Sequence, residues 1–170
     1  MGAITIISGP PGAGKTTVAK ELVNLCKGAL IYIEGDDFWK FMVNDGGRPV
    51  HKNFRATMSA TLAAGIAYAR HDYDVLLDFS IPPWFITRAS ELVKKRKIPL
   101  NYVVLRPSME ICASRSAGRD VGKINYDERF IKFYESFGGL QQYIVEENEA
   151  GARAIAERVK RGLDVGLFRF

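Results

Sequence analysis

The stretch Gly9-Pro10-Pro11-Gly12-Ala13-Gly14-Lys15-Thr16 decides the fold of this 170-residue chain. It matches the pattern G-x-x-x-x-G-K-[ST], in which a glycine-rich loop turns its backbone N–H groups inward around a phosphate. Residues 3–8 before it are mostly apolar and predict a buried strand, and residues 15–26 after it predict a helix. The amino terminus of that helix adds partial positive charge. The motif and its context therefore predict a nucleotide phosphate-binding loop, the P-loop.

The motif also predicts a role for each part of the loop. Lys15 can reach the β- and γ-phosphates, and the Thr16 hydroxyl can bind Mg²⁺. ATP and Mg²⁺ are therefore the expected cofactors. The residues expected to hold the nucleotide are Gly9, Pro11, Gly12, Ala13, Gly14, Lys15, Thr16 and Thr17.

The composition is that of an ordinary globular protein, with 47% apolar and 25% charged residues. The length predicts one domain spanning residues 1–170. The net charge is +5, but the basic residues are scattered, so a nucleic-acid partner is not expected. No apolar run approaches the ~20 residues of a membrane span. Two isolated cysteines, Cys26 and Cys112, favour reduced thiols and hence the cytoplasm. Oligomeric state is left open.

Apolar strand segments alternate with amphipathic helical segments along the whole chain. This alternation predicts a three-layer α/β/α fold with a mostly parallel, five-stranded sheet. The predicted strands are 3–8, 30–33, 75–79, 100–105 and 142–145, and the main predicted helices are 15–26, 53–70, 84–97, 127–137 and 149–161. The aromatic stripe Phe130, Phe133, Tyr134 and Phe137 is interpreted as core.

Acidic residues follow two of the predicted strands, at the edge where parallel sheets bind ligands. Glu34, Asp36 and Asp37 follow the second strand, and Asp78 ends the third. Phosphoryl transfer needs acidic groups to hold Mg²⁺ and to accept the proton of the attacking hydroxyl. Asp36 is predicted as the base, and Thr16, Glu34 and Asp78 as metal ligands. The alternative is a polar turn with a helix cap, and the division of roles among these carboxylates stays open.

Two arginines four residues apart, Arg115 and Arg119, stand in a segment with two glycines and a further lysine. Such a segment suits a short lid, at about residues 115–125, whose cations close over the transferring phosphates. Both arginines are therefore predicted to be catalytic. The alternative is an ordinary helix end followed by a solvated loop.

These features together resemble the small P-loop kinases, which include shikimate and gluconate kinases, chloramphenicol phosphotransferase and nucleoside monophosphate kinases. The resemblance lies in residues 9–17, in Glu34-Gly35-Asp36 and in the two lid arginines. It implies that Asp36 is the base or orients the acceptor, and that Glu34 lies near the metal. It further implies that Arg115 packs near the nucleotide and that Arg119 faces the phosphates.

The segments that would identify the acceptor depart from the named kinases. Phe79-Ser80-Ile81 stands where shikimate kinases have paired glycines, and no His-Pro pair follows Asp36 as in gluconate kinases. Tryptophans would suit a partly apolar acceptor, whereas arginines would suit an anionic one. The predicted acceptor-binding residues are Asp36, Trp39, Arg48, Arg55, Ser80 and Trp84.

Three functions agree with the sequence. The first is an ATP-dependent phosphotransferase that moves the γ-phosphate to a hydroxyl of a small molecule. The second is a nucleotide or nucleic-acid end kinase, and the third is a nucleotide-dependent ATPase or switch module. The lid arginines and the short chain disfavour the third, and the scattered basic residues favour the first over the second.

Overall fold

A computed structural model describes residues 1–118 and 124–170 of the chain. Its centre is a five-stranded sheet in the order β2-β3-β1-β4-β5. Every pairing between these strands is parallel. The strands are β1 (Ile4–Ser8), β2 (Leu30–Glu34), β3 (Asp74–Asp78), β4 (Leu100–Leu105) and β5 (Ile144–Val145). The predicted parallel α/β fold is confirmed.

Helices cover both faces of the sheet, as parallel sheets require. They are α1 (Lys15–Leu25), α2 (Val50–Ala69), α3 (Pro83–Lys94), α4 (Met109–Ala117), α5 (Glu128–Glu135) and α6 (Ala152–Asp164). One apolar core, which includes Met58 of α2 and Ile86 of α3, lies on one face. The other core, which includes Leu22 of α1 and Val159 of α6, lies on the opposite face. Three layers result.

Local signals in the sequence explain where several helices begin and end. Pro83 occupies the first turn of α3, where the missing N–H costs no hydrogen bond. The Ser108 hydroxyl caps α4 by accepting a hydrogen bond from the Ile111 backbone N–H, and Asp127 caps α5. Within the described residues, no helix has the length and apolar character of a membrane span.

The structure differs from the sequence prediction at several places, among them the following. Residues Gly35–Phe41 form a 3-10 helix, which places Asp36 and Trp39 on successive turns of one short element. Helix α2 begins at Val50, three residues earlier than predicted. Strand β5 is only two residues long, and Arg169 near the carboxyl terminus forms an antiparallel bridge with Asn101 of β4.

The strand register brings the acidic residues and the P-loop to one edge. Glu34 is paired with Asp78, and Asp78 with Ile7, just before the loop that begins at Gly9. Because all these strands point the same way, their carboxyl ends open on one crevice.

Candidate active site

Two of the P-loop glycines, Gly12 and Gly14, are required for different reasons. Gly12 has φ 79°, and a Cβ there would lie 2.1 Å from the carbonyl oxygen of Cys112 in α4. Gly14 has φ 86° and is the residue before α1, but a Cβ there would meet only Arg115 Nη1, at 3.9 Å. Among the described residues no side chain caps α1. The helix therefore leaves its first N–H groups available to an anion.

Two side chains outside the motif contact the loop. Arg115, near the end of α4, has its guanidinium beside Gly14, since a Cβ added at Gly14 would lie 3.9 Å from Arg115 Nη1. Tyr126 donates a hydrogen bond of 2.5 Å to the carbonyl oxygen of Pro11. Lys15 Nζ donates to the Pro10 carbonyl oxygen at 3.1 Å. The loop therefore packs against α4 and against the segment before α5. The sequence did not predict the role of Tyr126.

Asp78 is the most buried acidic residue of the site, at 3% exposure. Burial raises the pKa of its carboxyl group, while the Lys15 charge and the Thr16 hydroxyl oppose the rise. Its Oδ2 accepts a hydrogen bond of 3.4 Å from the Tyr32 hydroxyl. Its Oδ1 is buried and has no hydrogen-bond partner in the described part of the chain. One oxygen is therefore held by Tyr32, while the hydrogen-bonding capacity of the other is unmet.

Glu34 lies beside Asp78 on the neighbouring strand. It is half-buried, and one of its oxygens is 3.6 Å from Lys20 Nζ. Burial and the charges of Asp78 and Glu34 raise the pKa of Tyr32, so Tyr32 remains a protonated donor. Residues 1–118 and 124–170 contain no group of three or more His, Cys, Asp or Glu side chains that could hold a metal by themselves.

The two neighbouring aspartates of the 3-10 helix have different surroundings. Asp37 forms an exposed ion pair with Lys40, with 2.5 Å between Oδ1 and Nζ. Asp36 instead lines a cavity of about 270 Å³ together with Lys15 and Thr16. The tertiary structure therefore separates two residues that the sequence alone left equivalent.

The cavity joins the P-loop to a wall of aromatic rings. Its other lining residues include Trp39 and Ser80, both predicted as acceptor-binding. Ser80 precedes a residue fixed from two sides, because Ser8 and Tyr102 donate hydrogen bonds of 2.6 and 2.5 Å to the Ile81 carbonyl oxygen. The aromatic residues of the wall are Trp39, Phe54, Phe79, Phe130 and Phe133.

Part of that wall was missed by the sequence analysis. Phe130 and Phe133 line the cavity, whereas Tyr134 and Phe137 of the same stripe are buried. Phe133 also packs against the apolar core, so the core interpretation agrees with three of the four rings, but it did not show that two of the four line a cavity. Phe54 likewise lines the cavity, although its helical spacing indicated only a core position. A periodic pattern identifies the inward face of a helix but not whether a cavity lies behind it.

Three predicted acceptor-binding residues lie elsewhere. Arg48 is exposed in the loop before α2. The Arg55 guanidinium lies 5.0 Å from the ring of Trp84, and both line a separate surface groove between α2 and α3. The structure does not bring these three side chains into the cavity. Arg119 and most of the predicted lid after Gly118 lie outside the described residues.

A parallel sheet of this strand order, with a P-loop after its first strand, defines the fold as that of the P-loop kinases. The chain matches the AAA domain family over residues 4–130 and belongs to that family. No curated protein sequence matches the chain.

Solved structures with this fold include proteins of different kinds. The tunicamycin resistance protein of Deinococcus radiodurans has a TM-score of 0.70 and 18% identity, over 99% of this chain and 98% of that one. Shikimate kinase of Acinetobacter baumannii, in complex with shikimate, has a TM-score of 0.63 and 19% identity, over 98% and 94%. A chain of the Pnkp1/Rnl/Hen1 RNA repair complex has a TM-score of 0.61 and 17% identity, over 83% and 45%. These likenesses show the fold alone.

Proposed function

We propose that this protein transfers the γ-phosphate of ATP to a hydroxyl group of a small molecule, acting as a single domain. One observation carries the proposal: the P-loop residues Lys15 and Thr16 and the carboxylate of Asp36 face the same cavity of about 270 Å³. A phosphate on the loop and a hydroxyl at Asp36 would then be neighbours. Positioning of this kind supplies much of the catalysis of phosphoryl transfer.

Each step of the proposed reaction is assigned to a side chain or to the backbone. Asp36 accepts the proton of the attacking hydroxyl, and Trp39 and Ser80 contact the acceptor. Lys15 contacts the β- and γ-phosphates, while backbone N–H groups from Gly9 to Thr17 surround the polyphosphate. Arg115, beside Gly14, places a cation next to the nucleotide. We retain Arg119 as a second phosphate-facing cation, on the sequence evidence alone.

The donor set at the sheet edge fits Mg²⁺. Asp78 supplies a buried oxygen without a protein partner, Thr16 supplies a hydroxyl, and Glu34 lies alongside. Mg²⁺ typically binds through one or two carboxylates, substrate phosphates and waters, so a cage of protein ligands is not required. When bound, the ion would neutralise charge on the transferring phosphate. The protein's own part is to hold Asp78 in place through Tyr32.

A small acceptor agrees better with this site than a nucleic-acid end does. The cavity is slightly smaller than the roughly 300–1,000 Å³ of pockets for drug-sized ligands, and aromatic rings form its wall. Several described basic side chains are already paired with acidic ones, among them Lys132 with Glu128 and Arg153 with Glu157. The free thiols of Cys26 and Cys112 favour a reducing compartment, and we propose the cytoplasm.

Neighbouring aspartates provide the test and its control. Asp36→Asn should lower kcat by about 10²–10⁴-fold, the usual range for loss of a general base, with little change in KM for ATP. Asp37→Asn should keep activity within about threefold, because Asp37 faces Lys40 in an exposed ion pair worth at most ~1 kcal/mol. Phosphate transfer from labelled ATP to a panel of hydroxyl compounds measures both. The assignment of Asp36 fails if the two variants lose activity equally.

A further inference from the structure

The aromatic wall of the cavity is made of rings already packed on one another. The planes of Trp39 and Phe54 are 6° apart, with centroids 6.3 Å apart, so no third ring fits between them. Phe54 also contacts Phe133 edge to face, with centroids at 5.7 Å, and Phe79 at 5.6 Å. This wall is therefore preformed, and it offers ring edges and faces to whatever occupies the cavity.

Charged side chains are scarce among the described residues that line the cavity. Among its described lining residues, Lys15 is the one cation and Asp36 the one anion. Lys15 is placed to serve the nucleotide phosphates. An acceptor with a carboxylate or phosphate group would enter a partly apolar space beside Asp36, where Lys15 is the one described cation that could offset its desolvation.

Arginines that would suit an anionic acceptor are directed elsewhere. Arg55 stacks on Trp84 at 5.0 Å in the groove between α2 and α3, and Arg48 is exposed in the loop before α2. Neither lines the cavity that contains Asp36. The position of these side chains therefore favours a partly apolar acceptor over an anionic one.

From the wall and the charge inventory together, we infer that the acceptor is an uncharged compound with an aromatic ring body. The body packs against Trp39, Phe54 and Phe133, and the hydroxyl is presented to Asp36. The inference rests on the proposed function for the identity of this cavity as the acceptor site. In the transfer step, the acceptor oxygen forms a bond to the γ-phosphorus, the bond to the ADP oxygen breaks, and the hydroxyl proton passes to Asp36.

The two tryptophans of the chain allow a binding test that does not depend on catalysis. Trp84→Phe leaves Trp39 as the sole indole, inside the cavity, and Trp39→Phe leaves Trp84 as the sole indole, outside it. Each variant is titrated with para-methoxybenzyl alcohol, with para-hydroxymethylbenzoate and with glycerol. A non-hydrolysable ATP analogue and Mg²⁺ are present throughout, and tryptophan emission is measured.

The neutral ring alcohol should change the emission of the Trp84→Phe protein and not that of the Trp39→Phe protein. The carboxylate and glycerol should bind at least about tenfold more weakly, a ratio that corresponds to ~1.4 kcal/mol. Phe54→Leu in the Trp84→Phe background should weaken binding of the ring alcohol severalfold, whereas Arg55→Ala in the same background should leave it unchanged. Thermal unfolding of each variant shows that a loss of binding is not a loss of folding.

Several outcomes would overturn the inference. The first is that the carboxylate or glycerol binds more tightly than the ring alcohol. The second is that Arg55→Ala weakens binding of the ring alcohol and Phe54→Leu does not. The third is that the ring alcohol does not bind. Transfer assays with the same compounds separate the two proposals. Binding of the ring alcohol at Trp39 without transfer to any hydroxyl would contradict the proposed function, and transfer to charged or ringless acceptors alone would contradict this inference.

Discussion

Replacing Gly12 by alanine should damage both stability and catalysis, and Gly14 provides a matched control. Both residues have positive φ, 79° and 86°, which costs an alanine about 1–2 kcal/mol in either position. Only at Gly12 does the added Cβ strike backbone, 2.1 Å from the Cys112 carbonyl oxygen. At Gly14 it would lie 3.9 Å from the flexible end of Arg115.

The magnitudes follow from these contacts. Gly14→Ala should lose about 1–2 kcal/mol of unfolding free energy, or roughly 2–8 °C of Tm for a chain of this size. Gly12→Ala carries the same cost plus about 1–3 kcal/mol of overpacking. To relieve the overlap, the loop and α4 must separate by about an ångström. A displacement of that size near the reacting groups can cost about 10²-fold in rate.

Thermal unfolding and phosphate-transfer kinetics of the two variants check this prediction. Gly12→Ala should unfold at the lower temperature and lose about 10²-fold in kcat/KM. It should also lose most of the stabilisation by ATP and Mg²⁺, which for a ligand at 100 times its Kd is ~2.7 kcal/mol. Equal losses in the two variants would refute the argument, because the close approach to Cys112 would then have no consequence.

Two further substitutions test the P-loop and the acidic edge. Lys15→Ala should abolish phosphate transfer while circular dichroism shows a folded protein, and activity within about tenfold of the parent at saturating ATP would contradict the role of Lys15. Asp78→Asn should raise the Mg²⁺ concentration needed for half-maximal activity, and an unchanged requirement would argue against Asp78 as a metal ligand. It should also raise the Tm of the nucleotide-free protein at neutral pH, because burial raises the folded-state pKa of Asp78 above its ordinary value of 3.8. Because the folded state then binds the proton of Asp78 more tightly than the unfolded state does, ionisation of Asp78 destabilises the folded parent protein. This destabilisation grows as the pH rises from 3.8 through the folded-state pKa. Asp78→Asn should lack this part of the pH dependence of stability.

Local patterns in the sequence were sufficient for the fold. The P-loop motif and the apolar runs of four strands are short-range signals, and each appears where it was predicted. The 3-10 helix Gly35–Phe41 carried no comparable signal, since its polar start predicts a turn as readily. Alternation of strands and helices then leaves few ways to build a parallel sheet, so the three layers followed.

The phosphate-binding half of the site was equally accessible, because its chemistry resides in consecutive residues. Backbone N–H groups, Lys15 and Thr16 come from one loop and one helix turn. Glu34 and Asp78 could also be grouped in advance, since the ends of parallel strands meet at one edge. Their assignment to metal or base remains a prediction.

The acceptor half depended on the tertiary structure. Its walls come from the 3-10 helix, α2, α5 and the loop after β3, which are distant in sequence and meet only in the folded chain. Helical spacing placed Phe54 and Phe133 on inward faces, but only packing shows that a cavity lies there. The same spacing cannot show that Arg55 turns outward onto Trp84. The sequence by itself determined where phosphates bind, because that site is local, and the tertiary structure decided which side chains surround the acceptor cavity, because that depends on contacts between distant segments.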